Sequence, residues 1–457
     1  MKKLKLTDAV MLVMGSMIGS GIFIVSSDMM RNLGSGHWLI TVWIITGIMT
    51  VTAAISYGEL SSIFPKAGGQ YTYITEIFGK MAGFLYGWGL FTVIQTGTIA
   101  AVAVAFGKFT AYLIPSLGEA APIIEYGTWK ITWMQILAIF VILLLTYINT
   151  KGVKSGSVLQ NIFTSSKIIA LLALIVLGFI LIKIPHWESN MSYGWQAFQN
   201  MKQEGWQPIS GMAIMGGIAA AMTGSVFSST AWENVTFVSG EIENPTKNVV
   251  KAMILGTTAV MILYLLTNFV YLNALDRDGI AFAANDRVAV VASENIFGSI
   301  GTYLIAILVM ISTFGCVNGI VLAGARVFQT MAKDGLFLKS AIENNKNGVP
   351  EKSLWMQGIW ASLLCLSGQY GDLLDMISFV IVLFYMITVF GVIYLRIKKP
   401  ELERPYKAWL YPVSPMVYLI IGTAFCVLLF IYKPQYTWPG LLLILLGLPV
   451  YFFIKKK

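Results

Sequence analysis

Two short polar stretches interrupt apolar runs of this chain. Gly15 to Phe23 reads Gly-Ser-Met-Ile-Gly-Ser-Gly-Ile-Phe, with three glycines and two serines. Phe227 to Asn234 reads Phe-Ser-Ser-Thr-Ala-Trp-Glu-Asn, with five polar side chains in eight positions. Each Gly lowers helix propensity by about 1 kcal/mol relative to Ala, and unwound backbone in lipid leaves N–H and C=O groups unpartnered unless something polar replaces the lost bonds. Backbone opened in this way suits the binding of ions. N–H groups at the positive end of a half-helix attract an anion, and carbonyls at the C-terminal end of the other half attract a cation.

Two charges lie in or beside apolar sequence. Lys167 is flanked by Phe163, Ile168, Ile169 and the run from Ala170 to Ile180, and Glu233 falls within the second polar stretch. A Lys near the centre of a membrane helix costs about 2.5–3.5 kcal/mol on insertion scales, so it normally faces protein and carries function. The alternative for Lys167 is an ammonium snorkelling to the surface. For Glu233 the alternatives are a structural acceptor for unwound N–H groups and a proton-coupling carboxylate.

The elements that must position these residues follow from composition. Of 457 residues 57% are hydrophobic and 12% charged, with mean hydropathy +0.74; a soluble protein carries about twice that charge fraction. Apolar runs of about 20 residues recur, as membrane-spanning helices require, whereas a membrane β-barrel would show shorter alternating segments. The expected class is an all-α polytopic membrane protein with twelve segments, at 8–30, 38–64, 82–114, 131–149, 157–183, 209–239, 249–273, 296–331, 354–367, 373–396, 410–432 and 437–454. Lys2, Lys3 and Lys5 imitate a signal peptide, but no small-residue cleavage site follows Ile24, so the run reads as segment 1.

Close packing of small residues explains the first polar stretch alone as well as unwinding does. The second stretch lies in segment 6, and segments 1 and 6 open two sets of five. Packing does not account for matched interruptions at corresponding places, which favour two broken helices around a midplane binding site. Counting Lys and Arg in the loops places 22 on the side of the N-terminus and eight on the other, so both termini are expected in the cytoplasm. The net charge of +9 is spread over short loops and forms no nucleic-acid patch. Cys316, Cys365 and Cys426 lie inside apolar segments, and His37 and His186 at loops, so neither a disulfide nor a metal set is expected. No phosphate-binding glycine loop or Ser-His-Asp arrangement appears, which argues against a pump or a membrane hydrolase.

With these features in view the chain resembles the amino acid, polyamine and organocation transporter superfamily over nearly its whole length. Gly19 to Phe23 is similar to that family's first-helix carboxylate site, and Phe64-Pro-Lys-Ala-Gly-Gly-Gln-Tyr71 to its loop after helix 2. Ser312 to Gly319, Arg326-Val-Phe328, Asp334-Gly335 and the span from Leu395-Arg396 to Arg404-Pro405 resemble the L-type amino acid transporters. The resemblance implies a five-plus-five inverted repeat, with halves at 1–183 and 184–400 and two appended helices at 401–457. It also implies alternating access for a free amino acid, no cofactor and no enzymatic activity. Animal heteromeric members carry a cysteine between helices 3 and 4 for a partner subunit. Residues 115–130 contain none, so no disulfide-linked heavy subunit is expected.

Site roles follow from the same resemblance. Ser20 and Gly21, with Gly19 for backbone approach, are expected to hold the substrate carboxylate. Carbonyls of Met17, Phe227, Ser228 and Thr230 are expected to hold its ammonium. Phe227 falls at an aromatic gate, and Ser229, Ala231 and Asn318 are expected to touch the substrate side chain. Lys167 stands where sodium-coupled relatives bind their ion, with the carbonyls of Gly15 and Ile18 as partners. Glu59 is placed as an inner gate or a loop anchor near Pro65. Small polar contacts favour alanine, serine, threonine or glycine, carried by sodium-independent exchange. Proton-coupled symport is the nearest alternative; a channel or a sensor with this fold is more remote.

Overall fold

The computed structural model describes residues 3–118, 122–126, 129–201, 205–366 and 370–455. The chain is helical throughout its apolar parts. Among the described residues nine helices are long and apolar enough to cross a membrane. Segments 1, 6 and 9 account for the remaining three of the twelve expected. Segments 1 and 6 are interrupted, and segment 9 is the 14-residue helix Glu351–Leu364.

The boundaries follow local chemistry. The helix of segment 2, Gly36–Ile63, has 28 residues and is therefore about 42 Å long, more than the ~30 Å apolar core of a bilayer requires. It stops just before Pro65. The loop after it turns through Gly68 and Gly69, both at positive φ, where L side chains are disfavoured. A Cβ on Gly69 would also collide with Thr236 and Phe237. This places the Pro-Lys-Ala-Gly-Gly loop directly under the far half of segment 6, where Ser239 Oγ donates to the Lys66 carbonyl at 2.7 Å. The helix of segment 7, Pro245–Ala274, begins on a proline, which suits a position whose N–H has no helical partner.

Outside the apolar segments the all-α expectation needs one amendment. Two antiparallel hairpins are present, Pro122–Tyr126 with Trp129–Thr132 and Ala197–Met201 with Gly205–Ile209. The second delays the start of segment 6, whose helix begins at Met212 instead of Ile209. At the other end of the molecule Leu4 pairs with the exit of segment 6: its N–H donates to the Glu241 carbonyl at 2.8 Å and its carbonyl accepts from Glu243 N–H at 2.9 Å.

Candidate functional site

Segment 1 is a helix from Leu6 to Met17, a single 3-10 turn from Gly21 to Phe23, and a second helix from Val25 to Leu33. The unwound part, Ile18 to Ser20, is narrower than the whole polar stretch. Gly15 stays helical, and its missing side chain serves contact: a Cβ there would overlap Thr164 and Gln160 of segment 5.

Breaking the helix frees a row of carbonyls, and buried carbonyls need partners. Side chains from other segments supply them. Lys167 Nζ donates to Gly15 O and to Ile18 O, both at 2.7 Å. Cys316 Sγ donates to Ser16 O at 3.1 Å, and Ser312 Oγ to Ile18 O at 3.2 Å. Tyr264 Oη donates to Met17 O at 2.9 Å and to Ser228 O at 3.2 Å, and Tyr271 Oη to Ile22 O at 3.2 Å. The amides differ. Among the described residues, the N–H groups of Gly19, Gly21 and Ile22 have no backbone acceptor.

Segment 6 breaks in the same manner. Its first helix, Met212–Ser228, is followed by non-helical backbone to Glu233 and a short helix, Asn234–Phe237. The break starts two residues later than the polar stretch, because Phe227 and Ser228 still belong to the helix. Ala231 takes φ 68°, an uncommon conformation for a residue with a Cβ, costing about 1–3 kcal/mol. Ser229 turns its hydroxyl back to Ser225 O at 2.9 Å and Val226 O at 3.0 Å.

Between the two breaks is a cavity of about 250 Å³. Segment 1 contributes Ser16, Met17, Gly19, Ser20 and Gly21, segment 3 Thr98 and Val102, segment 6 Phe227, Ser228, Thr230 and Ala231, and segment 8 Cys316 and Ile320. A Cβ on Gly21 would overlap the Ser228 side chain, 2.6 Å from its Cβ, and one on Gly19 would lie 3.0 Å from Cys316 Sγ. Gly21 thus lets the two broken helices touch.

The other residues named from the sequence distribute as follows. Lys167 is 1% exposed and lies behind the break. Asn318 does not line the cavity: its carboxamide accepts from Asn149 Nδ2 at 3.0 Å and donates to Gln160 Oε1 at 3.2 Å, joining segments 4, 5 and 8. Ser229 also falls outside the lining and faces a neighbouring cavity. Glu233 is 3% exposed and lies outside the lining of both cavities, next in sequence to Trp232. Glu59, 1% exposed, accepts from Arg396 Nη2 at 2.6 Å, Arg396 Nε at 3.0 Å and Ala408 N–H at 2.7 Å, and pairs with Arg404 at 3.3 Å. It therefore anchors the loop after segment 10 to segment 2.

Ion pairs tie the segments beyond each break. Arg31 meets Asp286 at 2.6 Å at one end, and Arg326 meets Glu241 at 2.8 Å at the other. Burial raises the Glu241 carboxyl above its ordinary range, against the pull of Arg326.

Tyr264, Ser312 and Cys316 were missed by sequence reasoning. Tyr264 bridges a carbonyl from each broken helix, so Tyr264→Phe is expected to weaken substrate affinity by about fivefold to tenfold, the equivalent of one buried hydrogen bond of ~1 kcal/mol. Equilibrium binding to the purified protein checks this; unchanged affinity would make the hydroxyl dispensable.

Two helices broken at matched places around a cavity are the architecture of a secondary transporter. The family model described as amino acid permease matches residues 4–452, and the chain belongs to that family, whose members are transporters and not enzymes. It is 32% identical over 452 residues to the human large neutral amino acids transporter small subunit 2, covering 99% of this chain and 80% of the relative. It is 29% identical over 454 residues to the mouse Asc-type amino acid transporter 1, covering 99% and 81%. It is 25% identical over 460 residues to the mouse b(0,+)-type amino acid transporter 1, covering 99% and 88%.

Proposed function

We propose that the protein is a sodium-independent exchanger of small neutral amino acids that works by alternating access. The observation that carries this reading is the asymmetry at the first break. Its carbonyls are taken up by Lys167, Cys316, Tyr264, Ser312 and Tyr271, whereas the amides of Gly19 and Gly21 keep no backbone acceptor. Donors without acceptors, at the start of a new helical turn and lining a cavity, are complementary to a carboxylate. The substrate ammonium then lies against the C-terminal end of the first half of segment 6. There the Thr230 carbonyl accepts no hydrogen bond among the described residues, and the Met17 and Ser228 carbonyls each keep a second lone pair.

Phe227 covers the bound molecule. Val102, Cys316 and Ile320 leave its side chain a small, largely apolar space, which suits alanine, serine, threonine or glycine. Lys167 supplies by its ammonium the positive charge that a sodium ion supplies in sodium-coupled relatives. Residues 1–183 and 184–400 form the two inverted halves, with 401–457 appended, and both termini face the cytoplasm. No disulfide-linked heavy subunit is needed, since the loop 115–130 has no cysteine.

The test is counterflow. Proteoliposomes preloaded with alanine or serine are expected to take up labelled alanine many times faster than empty ones. Equal rates would sink the exchange reading, and uptake driven only by an imposed gradient would replace it with symport.

A further inference from the structure

A third cavity, of about 360 Å³, lies toward the face of the molecule that bears the N-terminus, and its walls come from segments 1, 5, 6 and 8. Leu12, in its lining, stands one helical turn, about 6 Å, before Ser16 of the first cavity. Two polar links hold its walls together. Asp8 of segment 1 accepts from Asn161 Nδ2 of segment 5 at 3.0 Å, and Glu241 at the exit of segment 6 pairs with Arg326 of segment 8 at 2.8 Å.

The links are far apart in sequence, but the start of the chain joins them. Leu4 N–H donates to Glu241 O at 2.8 Å and Leu4 O accepts from Glu243 N–H at 2.9 Å, so Leu4 and Ile242 are paired neighbours in a parallel ladder. Lys3 and Lys5 are exposed, whereas Leu4 packs on the core and Ile242 is fully buried. Asp8 also accepts from Lys5 N–H at 2.9 Å, which fixes the strand to the first turn of segment 1. Segments 1 and 6 are therefore attached to each other at two levels. One is the pair of breaks, where Tyr264 donates to a carbonyl of each; the other, beyond the helix Leu6–Met17 of about 18 Å, is Leu4. Two rods joined at one point can pivot. Joined at two, they turn together.

We propose that the N-terminal strand is a coupling element: through Leu4 the first half of segment 1 and the far end of segment 6 form one moving body. Its release from Asn161 and Arg326 together opens the third cavity to the N-terminal face. The inference rests on the transport reading of the first cavity. Leu4 acts as a positioning residue, since it touches the moving halves and lies away from the first cavity. Without the strand each half leaves its own partner separately, and opening no longer answers to amino acid on the opposite face.

Two measurements test this. In proteoliposomes, Leu322→Cys, on the segment 8 wall of the third cavity, is modified by a membrane-impermeant maleimide added at the N-terminal face, with wild type as the control for native cysteines. Alanine on the opposite face is expected to speed that modification severalfold. Adding Leu4→Pro, which deletes the donor to Glu241 O, is expected to speed it about fivefold without alanine, the effect of one lost hydrogen bond, and to remove the response to alanine. The second measurement uses Leu4→Cys with Ile242→Cys. Paired strands lie about 4.8 Å apart, inside the range of about 4.4–6.8 Å between Cα atoms that a disulfide spans. Reduced, this variant is expected to exchange alanine several times more slowly than wild type; oxidised, it is expected to regain the wild-type rate.

Exchange stopped by oxidation overturns the proposal, because the two halves would then have to part. So does maleimide modification that is the same with and without Leu4→Pro. If the double cysteine variant does not fold, the Leu4→Pro modification rate decides; if Leu4→Pro does not fold, oxidation of the cysteine pair decides. Absence of any alanine effect in the wild-type strand background would count against the amino acid reading, while the alanine-independent change with Leu4→Pro still decides the strand.

Discussion

Proteoliposomes carrying Lys167→Ala are expected to exchange amino acid at less than about a tenth of the wild-type rate, although the protein still purifies as a folded, monodisperse species. The substitution removes two charge-assisted hydrogen bonds of 2.7 Å, to Gly15 O and Ile18 O. Hydrogen bonds to a charged group contribute about 1.5–3 kcal/mol each, and the two carbonyls would be left buried without their strongest donor. One of them, Ile18 O, keeps Ser312 Oγ at 3.2 Å; among the described residues Gly15 O keeps no other side-chain donor. The break then relaxes toward continuous helix, and the amides lining the cavity are withdrawn. A loss of only 1.4 kcal/mol would already be tenfold. Lys167→Arg is not expected to rescue, since a planar fork cannot reproduce one ammonium shared by two carbonyls three residues apart. Normal exchange by Lys167→Ala would show that the ammonium is dispensable at the break.

Gly21→Ala is expected to abolish measurable amino acid binding, and the double variant Gly21→Ala with Ser228→Gly to recover part of it. The reason is steric. A Cβ on Gly21 would overlap the Ser228 side chain and stand 3.0 Å from Ser228 Cα, so the two broken helices must part. Core overpacking of this kind typically costs about 1–3 kcal/mol, and here the strain falls on the cavity wall itself. Removing the Ser228 side chain makes room for the methyl but leaves it pressed against the backbone of residue 228, hence partial recovery. Equilibrium binding to the purified variants reads both effects. Wild-type affinity in Gly21→Ala would move the carboxylate site away from this turn.

Much of this arrangement was legible in the sequence because it violates membrane chemistry. Three glycines in nine residues, five polar side chains in eight, and a lysine inside an apolar helix are conspicuous against lipid-compatible sequence. The contact of Lys167 with Gly15 and Ile18 was named from the resemblance. What stayed hidden are groups that look ordinary in sequence. Tyr264, Ser312 and Cys316 sit in regular helices, and only the packing of segments 7 and 8 on the break turns them toward its carbonyls. Asn318 lies off the cavity lining for a related reason. Two residues along a helix amount to about 200° of rotation, so once Cys316 and Ile320 face the cavity, Asn318 faces the helices behind it. Composition can tell that a helix has a polar face without telling which neighbour receives it. Ser229 turns inward through backbone chemistry: at a helix end its hydroxyl bonds the carbonyls of its own helix.

The clamp at Glu59 bears on how such a molecule could move. One carboxylate receives donors from Arg396 and from Ala408 and an ion pair from Arg404, so segments 2 and 10 and the loop leading to segment 11 are riveted together at one end. The wall they form meets segment 6 at Trp232 through the rings of Tyr57 and Tyr385. Rings in contact can slide over one another without breaking directional bonds. A displacement of Trp232 across these two rings would break no directional bond between them, and the interruption in segment 6 would absorb it without unpicking either helix.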